Sequence, residues 1–248
     1  MHIRVLVSLT LLLAAIACRL SNEAPLVTAL AATRSADSAR ATSAAATMQA
    51  RPTHTSTTTP TASPAPPDIG ATLEHLSSVS LLDEDLPSTF RPLPLEEMGT
   101  SEEEIRSLVA QEDISIASVF SYLDDTHFQF ILGFTVFLPT RLARASFDAE
   151  VRRPETMLES LASSFDAEEI TDKRILPGAD GIGEVSAGMT LGARLSESPF
   201  PMRMDAVLFR NGILGAIIFE MYIDAERPRA PIVEVANLLN AKMDEAQH

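Results

Sequence analysis

Two apolar runs, MRMDAVLFR (202–210) and ILGAIIFEMYI (213–223), meet at Asn211-Gly212. Asn-Gly between alternating hydrophobic segments is the strongest short-range signal for a β-hairpin, because a type I′ turn needs positive φ at both central residues and Asn and Gly tolerate it best. This hairpin constrains the fold more than any other stretch: it commits the region to antiparallel pairing.

A second hairpin lies upstream. In HFQFILGFTVFL (127–138), Phe128, Phe130, Leu132, Phe134, Val136 and Leu138 recur at every second position, while His127, Gln129 and Thr135 fall between them. Period two places the first set on one face of a strand. SIASVFSYL (115–123) precedes it across Asp124-Asp125-Thr126 and is expected to pair with it. VSAGMTLGARL reads as a further strand, ITDKRIL as a weaker one, and PGADGIGE between them as a turn cluster.

Helical spacing fills the intervals. Ser101 with Glu104 forms a capping-box pattern ahead of Ile105, Leu108 and Val109, which predicts a helix over 101–112. Leu142, Ala145 and Phe147 begin a second helix, and Pro154 suits the first turn of a third, followed by Met157, Leu158, Leu161, Ala162 and Phe165. After Pro231, the residues Ile232, Val235, Ala236, Leu239 and Met243 mark one face of a closing helix. Hairpins with helices between and after them predict an α+β fold: an antiparallel twisted sheet of about five to six strands with helices packed on one face.

The amino-terminal quarter has a different character. His2 and Arg4 precede an apolar run from Val5 to Ile16, and Ala15 and Ala17 lead to Cys18, the only cysteine of the chain. A cationic start, a short apolar core and an A-x-A site describe a signal peptide. Crossing a bilayer takes about 20 apolar residues, so the run is too short for a permanent span. Ala15-Ile16-Ala17-Cys18 resembles the lipobox of bacterial lipoproteins, with Ala15 where that family usually carries leucine. The resemblance implies cleavage between Ala17 and Cys18, diacylglycerol on the Cys18 thiol, often a further acyl chain such as palmitate, and attachment to the extracytoplasmic face of a membrane. An ordinary peptidase could cut the same A-x-A bond, leaving the cysteine incidental.

The expected organisation is a signal peptide over 1–17, an Ala/Thr/Ser/Pro-rich tether over 18–68 that lacks the apolar surface to fold, and one domain over 69–248. With Cys18 used as an anchor, that domain has no thiol for a disulfide, a zinc site or a nucleophile.

Charge narrows the partners. The chain has 19 basic and 34 acidic residues; five and three of them precede Ile69, which leaves 14 against 31 and a net charge of −17 in the domain. Such a surface repels phosphate backbones and anionic head groups, so no nucleic acid is expected, and membrane contact falls to the acylated Cys18.

The residues capable of chemistry form no recognised catalytic pattern. Asp83-Glu84-Asp85 and the pair Asp180 and Glu184 offer oxygen ligands, but neither has the spacing of a calcium loop, and a solvated turn explains both. GADGIGE lacks the glycine order of a dinucleotide loop. His75 and His127 could serve a serine triad, yet no G-x-S-x-G elbow is present. Met202, Met204 and Met221 suit core packing better than a soft metal. No metal, cofactor or catalytic residue is assigned.

LLDEDLPSTF (81–90), GIGE (181–184), the VLFRNGILGAIIF hairpin and the closing helix together resemble PsbP-like and sensor-type extracytoplasmic bacterial domains, most of uncharacterised function. That resemblance carries over no catalytic residue. The expectation is a membrane-tethered binding or interaction module for a protein partner or small ligand, held at the periplasm or cell exterior. The alternatives are a structural or assembly component of an envelope complex and, last, a hydrolase.

Overall fold

A computed structural model describes residues 76, 78–98, 101–109, 114–196 and 198–247. The proposed signal peptide, the cleavage site at Ala17 and Cys18, the tether and His75 lie outside them. Seven strands form one sheet: β1 (Arg91–Pro92), β2 (Ser115–Asp124), β3 (Gln129–Phe137), β4 (Ala167–Ile175), β5 (Val185–Leu195), β6 (Met202–Asn211) and β7 (Leu214–Ile223). Their spatial order is β1-β2-β3-β7-β6-β5-β4, with every neighbouring pair antiparallel. Among the described residues four α-helices accompany them: α1 (Glu102–Val109), α2 (Arg141–Val151), α3 (Pro154–Ser164) and α4 (Ile232–Gln247).

The topology follows from the two hairpins. β2 and β3 pair locally, and β4 to β7 form a meander that returns to β3. The chain must therefore travel from the middle of the sheet to its far edge between β3 and β4, and α2 and α3 make that crossing. Thr140 caps α2 by accepting the Ala143 N–H at 3.1 Å, and Pro154 occupies the first turn of α3, where its missing N–H costs nothing.

Strand number and layering differ from the sequence expectation. Among the described residues there are seven strands because ITDKRIL, all but its last residue, forms the greater part of β4 and the two-residue β1 joins the other edge. Helices cover both faces, not one. On one side α2 and α3 pack with Leu132, Phe134, Met204, Ala206 and Leu208; on the other α4 packs with Ile131, Val207, Phe209, Leu214 and Ile218. Central strands that are apolar at both parities, as Val207, Leu208 and Phe209 are in succession, must be covered twice to leave water. The second cover also uses the stretch before β1, through Leu76, Val79, Leu81, Leu86 and Phe90. Ser118 and Thr135 fasten it, both hydroxyls donating to the Val79 carbonyl, at 2.8 and 3.2 Å.

The β6–β7 turn is shifted by one residue from the sequence reading. Asn211 pairs with Leu214, so the loop residues are Gly212 and Ile213. Only Gly212 has positive φ, at 57°, the pattern of a type II′ turn.

Gly183 makes a testable joint. Its φ is 66°, and a Cβ there would lie 2.6 Å from the Arg210 carbonyl oxygen and 3.1 Å from Asn240 Oδ1. Gly183→Ala should cost about 1–2 kcal/mol for the left-handed backbone alone, plus the displacement of β6 or α4. Urea denaturation should show the loss; an unchanged midpoint would contradict this account of the joint.

The edge strand β4 is guarded. Its outer side is unpaired among the described residues, eight of its nine residues are exposed, and its register with β5 shifts twice, between Ala167 and Glu169 and between Thr171 and Arg174. Glu168, Glu169, Asp172, Lys173 and Arg174 add charge along it. Bulges and charges of this kind block pairing with another chain.

Candidate functional site

Two features of the fold bring functional groups together: an open groove at the β1 edge of the sheet and a polar chain, exposed at Thr89 and Arg229 and buried at Asp124, Gln129, Glu220 and Asp205, at the end where β3 begins and β7 finishes.

The groove has a volume of about 350 Å³ and is walled by Leu81, Leu93, Leu95, Val119 and Tyr122, with Glu96 and Glu102 among its polar lining. It exists because β1 is short. Pro92 ends the strand, and Leu95–Met98 turns away as a 3-10 helix, leaving the outer side of β2 uncovered above Ser121. Tyr122 is committed, donating its hydroxyl proton to the Leu81 carbonyl at 2.8 Å.

The polar chain begins at Thr89, whose hydroxyl donates to Asp124 Oδ2 at 2.7 Å. Asp124 is fully buried at the end of β2 and also accepts from the Thr126 and His127 backbone N–H groups, at 2.9 and 3.1 Å, which shapes the β2–β3 turn. Burial pushes its carboxyl up, but the bonds from Thr89, His127 and the two backbone groups outweigh burial and hold it below the usual range.

His127 stands next in the chain, with Nδ1 2.8 Å from Asp124 Oδ2 and Nε2 2.9 Å from Arg229 Nη2. A guanidinium can only donate, so Nε2 accepts and Nδ1–H donates to the carboxylate. Long-range ¹⁵N NMR is expected to show the Nδ1–H tautomer; an Nε2–H signal would contradict the Arg229 contact.

From Arg229 the chain passes through its backbone N–H to Gln129 Oε1 at 2.7 Å, while Gln129 Nε2 donates to Glu220 and to the Ala230 carbonyl at 3.1 Å. Glu220 Oε2 in turn accepts the Ile232 N–H at 3.0 Å, at the first turn of α4. Glu220 is 1% exposed and sits directly across from Asp205, which is 4% exposed. Tyr222 donates to Asp205 Oδ2 at 3.2 Å, whereas Asp205 Oδ1 has no hydrogen-bond partner among the described residues.

Burial raises both carboxyls. In Asp205 it prevails over the Thr190 and Tyr222 hydroxyls and the charges of Arg203 and Arg174. In Glu220 it is reinforced by Asp205 and only partly offset by Ile232 and Gln129, so its carboxyl lies well above the ordinary range. Burial and the neighbouring carboxyl both favour the protonated form of Glu220. Both carboxyls are buried, and Glu220 is tied to the first turn of α4 through the Ile232 N–H.

The remaining candidates are structural. Asp85 accepts the Leu82 N–H at 2.6 Å and pairs with Lys242 of α4. Glu184 pairs with Arg210, whose Nε and Nη2 also grip Asp148 of α2 at 2.6 and 3.1 Å, and Asp180 is exposed. Met202 and Met204 are buried, and Met221 pairs across from Met204 at the core. Among the described residues no cluster of three or more His, Cys, Asp or Glu side chains could hold a metal.

No family model, curated protein or solved structure matches the chain. The reading of its function therefore rests on the residues themselves. Among the described helices none is long and apolar enough to cross a membrane. Sequence reasoning singled out His127 but missed Asp124, Arg229, Gln129, Glu220 and Asp205. The visible signal was an acid, Glu220, inside an otherwise apolar strand.

Proposed function

We propose that this protein is a lipid-anchored extracytoplasmic module that works by binding, with Cys18 carrying the acyl chains, residues 18–68 acting as the tether, and the groove beside β2 receiving a protein partner or small ligand. The observation that carries the reading is the groove: a concavity lined by both leucines and polar side chains, next to an unfilled stretch of strand edge. Both sheet faces are already covered, which takes away the exposed sheet surface as a place to bind.

A hydrolytic reading finds less support. His127 has its carboxylate, but Arg229 and not a serine hydroxyl faces Nε2. A proton relay also needs access to water or substrate, and the chain from Gln129 to Asp205 is buried.

Two measurements test the proposal. The intact mass of the mature protein should equal residues 18–248 plus two or three acyl chains; the bare polypeptide mass would remove the anchor. A photo-crosslinking residue at position 96, used in intact envelopes, should yield a discrete adduct that the same residue at position 175 does not. Equal labelling at both positions would remove the groove.

A further inference from the structure

The chemistry of the groove narrows what it receives. β1 pairs with β2 only through Arg91 to Leu123 and Pro92 to Tyr122, and the Leu93 N–H donates to the Ser121 carbonyl at 2.9 Å. At the other end Arg106 of α1 reaches across and donates to the Ala117 carbonyl at 3.2 Å and to that of Ile116. Between these two closures lies Val119. In an antiparallel strand, outward-pointing backbone groups recur at every second residue, so if Ser121 faces outward Val119 does too. Its N–H and C=O open into the groove without a partner among the described residues.

Unpaired strand-edge groups are a template for another extended chain, which satisfies donor and acceptor together. Leu93, Leu95 and Leu81 line the space beside them, fitting an apolar side chain. The rim is acidic: Glu96 has no ion pair among the described residues, and Glu102 shares its carboxylate with Arg106 alone. Arg91 is occupied by Asp125 and Glu97. A ligand rich in phosphate or carboxylate is therefore disfavoured, and a cationic one is attracted.

We propose that the groove takes an extended segment of a partner protein, which adds as a short strand to β2 at Val119, seats one apolar side chain and sets Lys or Arg against Glu96 and Glu102. This rests on the groove being the binding site.

The test uses the full chain in zwitterionic detergent with three synthetic peptides: Ac-Lys-Val-Lys-Val-Lys-NH₂, its Glu-for-Lys counterpart, and the Lys peptide N-methylated at both valines. Calorimetry reads affinity and hydrogen exchange reads the Val119 amide. The unmodified Lys peptide should bind and slow exchange at Val119, while the other two should not. Glu96→Lys, at an exposed position, should weaken binding by about three- to tenfold. Equal binding of the acidic or N-methylated peptide, or binding of the Lys peptide with no change at Val119, would overturn strand addition. If no peptide binds while the position-96 adduct persists, the partner class falls and the groove stands; loss of both removes the groove as well.

Discussion

Phe209→Ala is expected to lower the unfolding free energy by about 3–5 kcal/mol, the range for removing a buried phenylalanine from a packed core. Phe209 is fully buried on the α4 side of β6, whereas its neighbour Leu208 points into the opposite layer with α2 and α3. Leu158→Ala, on α3, should cost about 2–5 kcal/mol for the same reason. Because both layers are built on the same strands, each substitution should shift one common transition. Far-ultraviolet circular dichroism in urea measures this. A cost under about 1 kcal/mol for Phe209→Ala, or a separate transition for either variant, would mean that the two layers do not unfold together.

The second large effect is a pH dependence set by Asp205 and Glu220. Both carboxyls are raised in the folded state, so the native protein binds protons more tightly there than the unfolded chain does. Their contribution to stability is complete below the unfolded carboxylate value of about 4 and is lost as pH rises through the raised folded values. Asp124 acts in the opposite sense: its lowered carboxyl contributes stability above the unfolded value, lost as pH falls through the folded one. Above the unfolded carboxylate value the acid pair therefore sets the slope, until pH passes the raised folded values. Asp205→Asn removes one titrating group and the like charge beside Glu220, so its stability should fall less steeply with pH, by up to about 1.4 kcal/mol per unit. Urea midpoints across that range decide the matter, and parallel slopes for both proteins would show that Asp205 and Glu220 do not set the pH dependence.

Much of this architecture was readable because its signals are local. The β2–β3 turn, the β6–β7 hairpin and the five apolar residues of α4 each declare themselves within about 20 residues of sequence, by periodicity and turn chemistry. Double-sided burial was harder to read, since alternation in HFQFILGFTVFL suggests one wet face. Gln129 and Thr135 are nevertheless buried there, because each finds a polar partner brought from elsewhere in the chain. The polar chain was illegible for the same reason. Asp205 and Glu220 meet only through the register of β6 on β7, and His127 meets Arg229 only after the segment before α4 folds back over the β2–β3 turn. The groove depends on where β1 stops, and a two-residue strand leaves no periodic trace.

The irregular outer margin formed by β4 has a consequence for how densely the protein can be held. Ile175 is 77% exposed there and Ile170 also faces solvent, so the strand presents apolar side chains beside its unpaired edge. What keeps that edge from templating another chain is geometry together with the charges along it: with two register shifts and Asp172 at φ 46°, no long run of donors and acceptors lies in line. A deletion that straightened the strand would present a flat rail for stacking, and molecules confined to a small area would polymerise along it. The kinks in β4 thus raise the concentration at which copies would stack, a property of the population that no single folded copy displays.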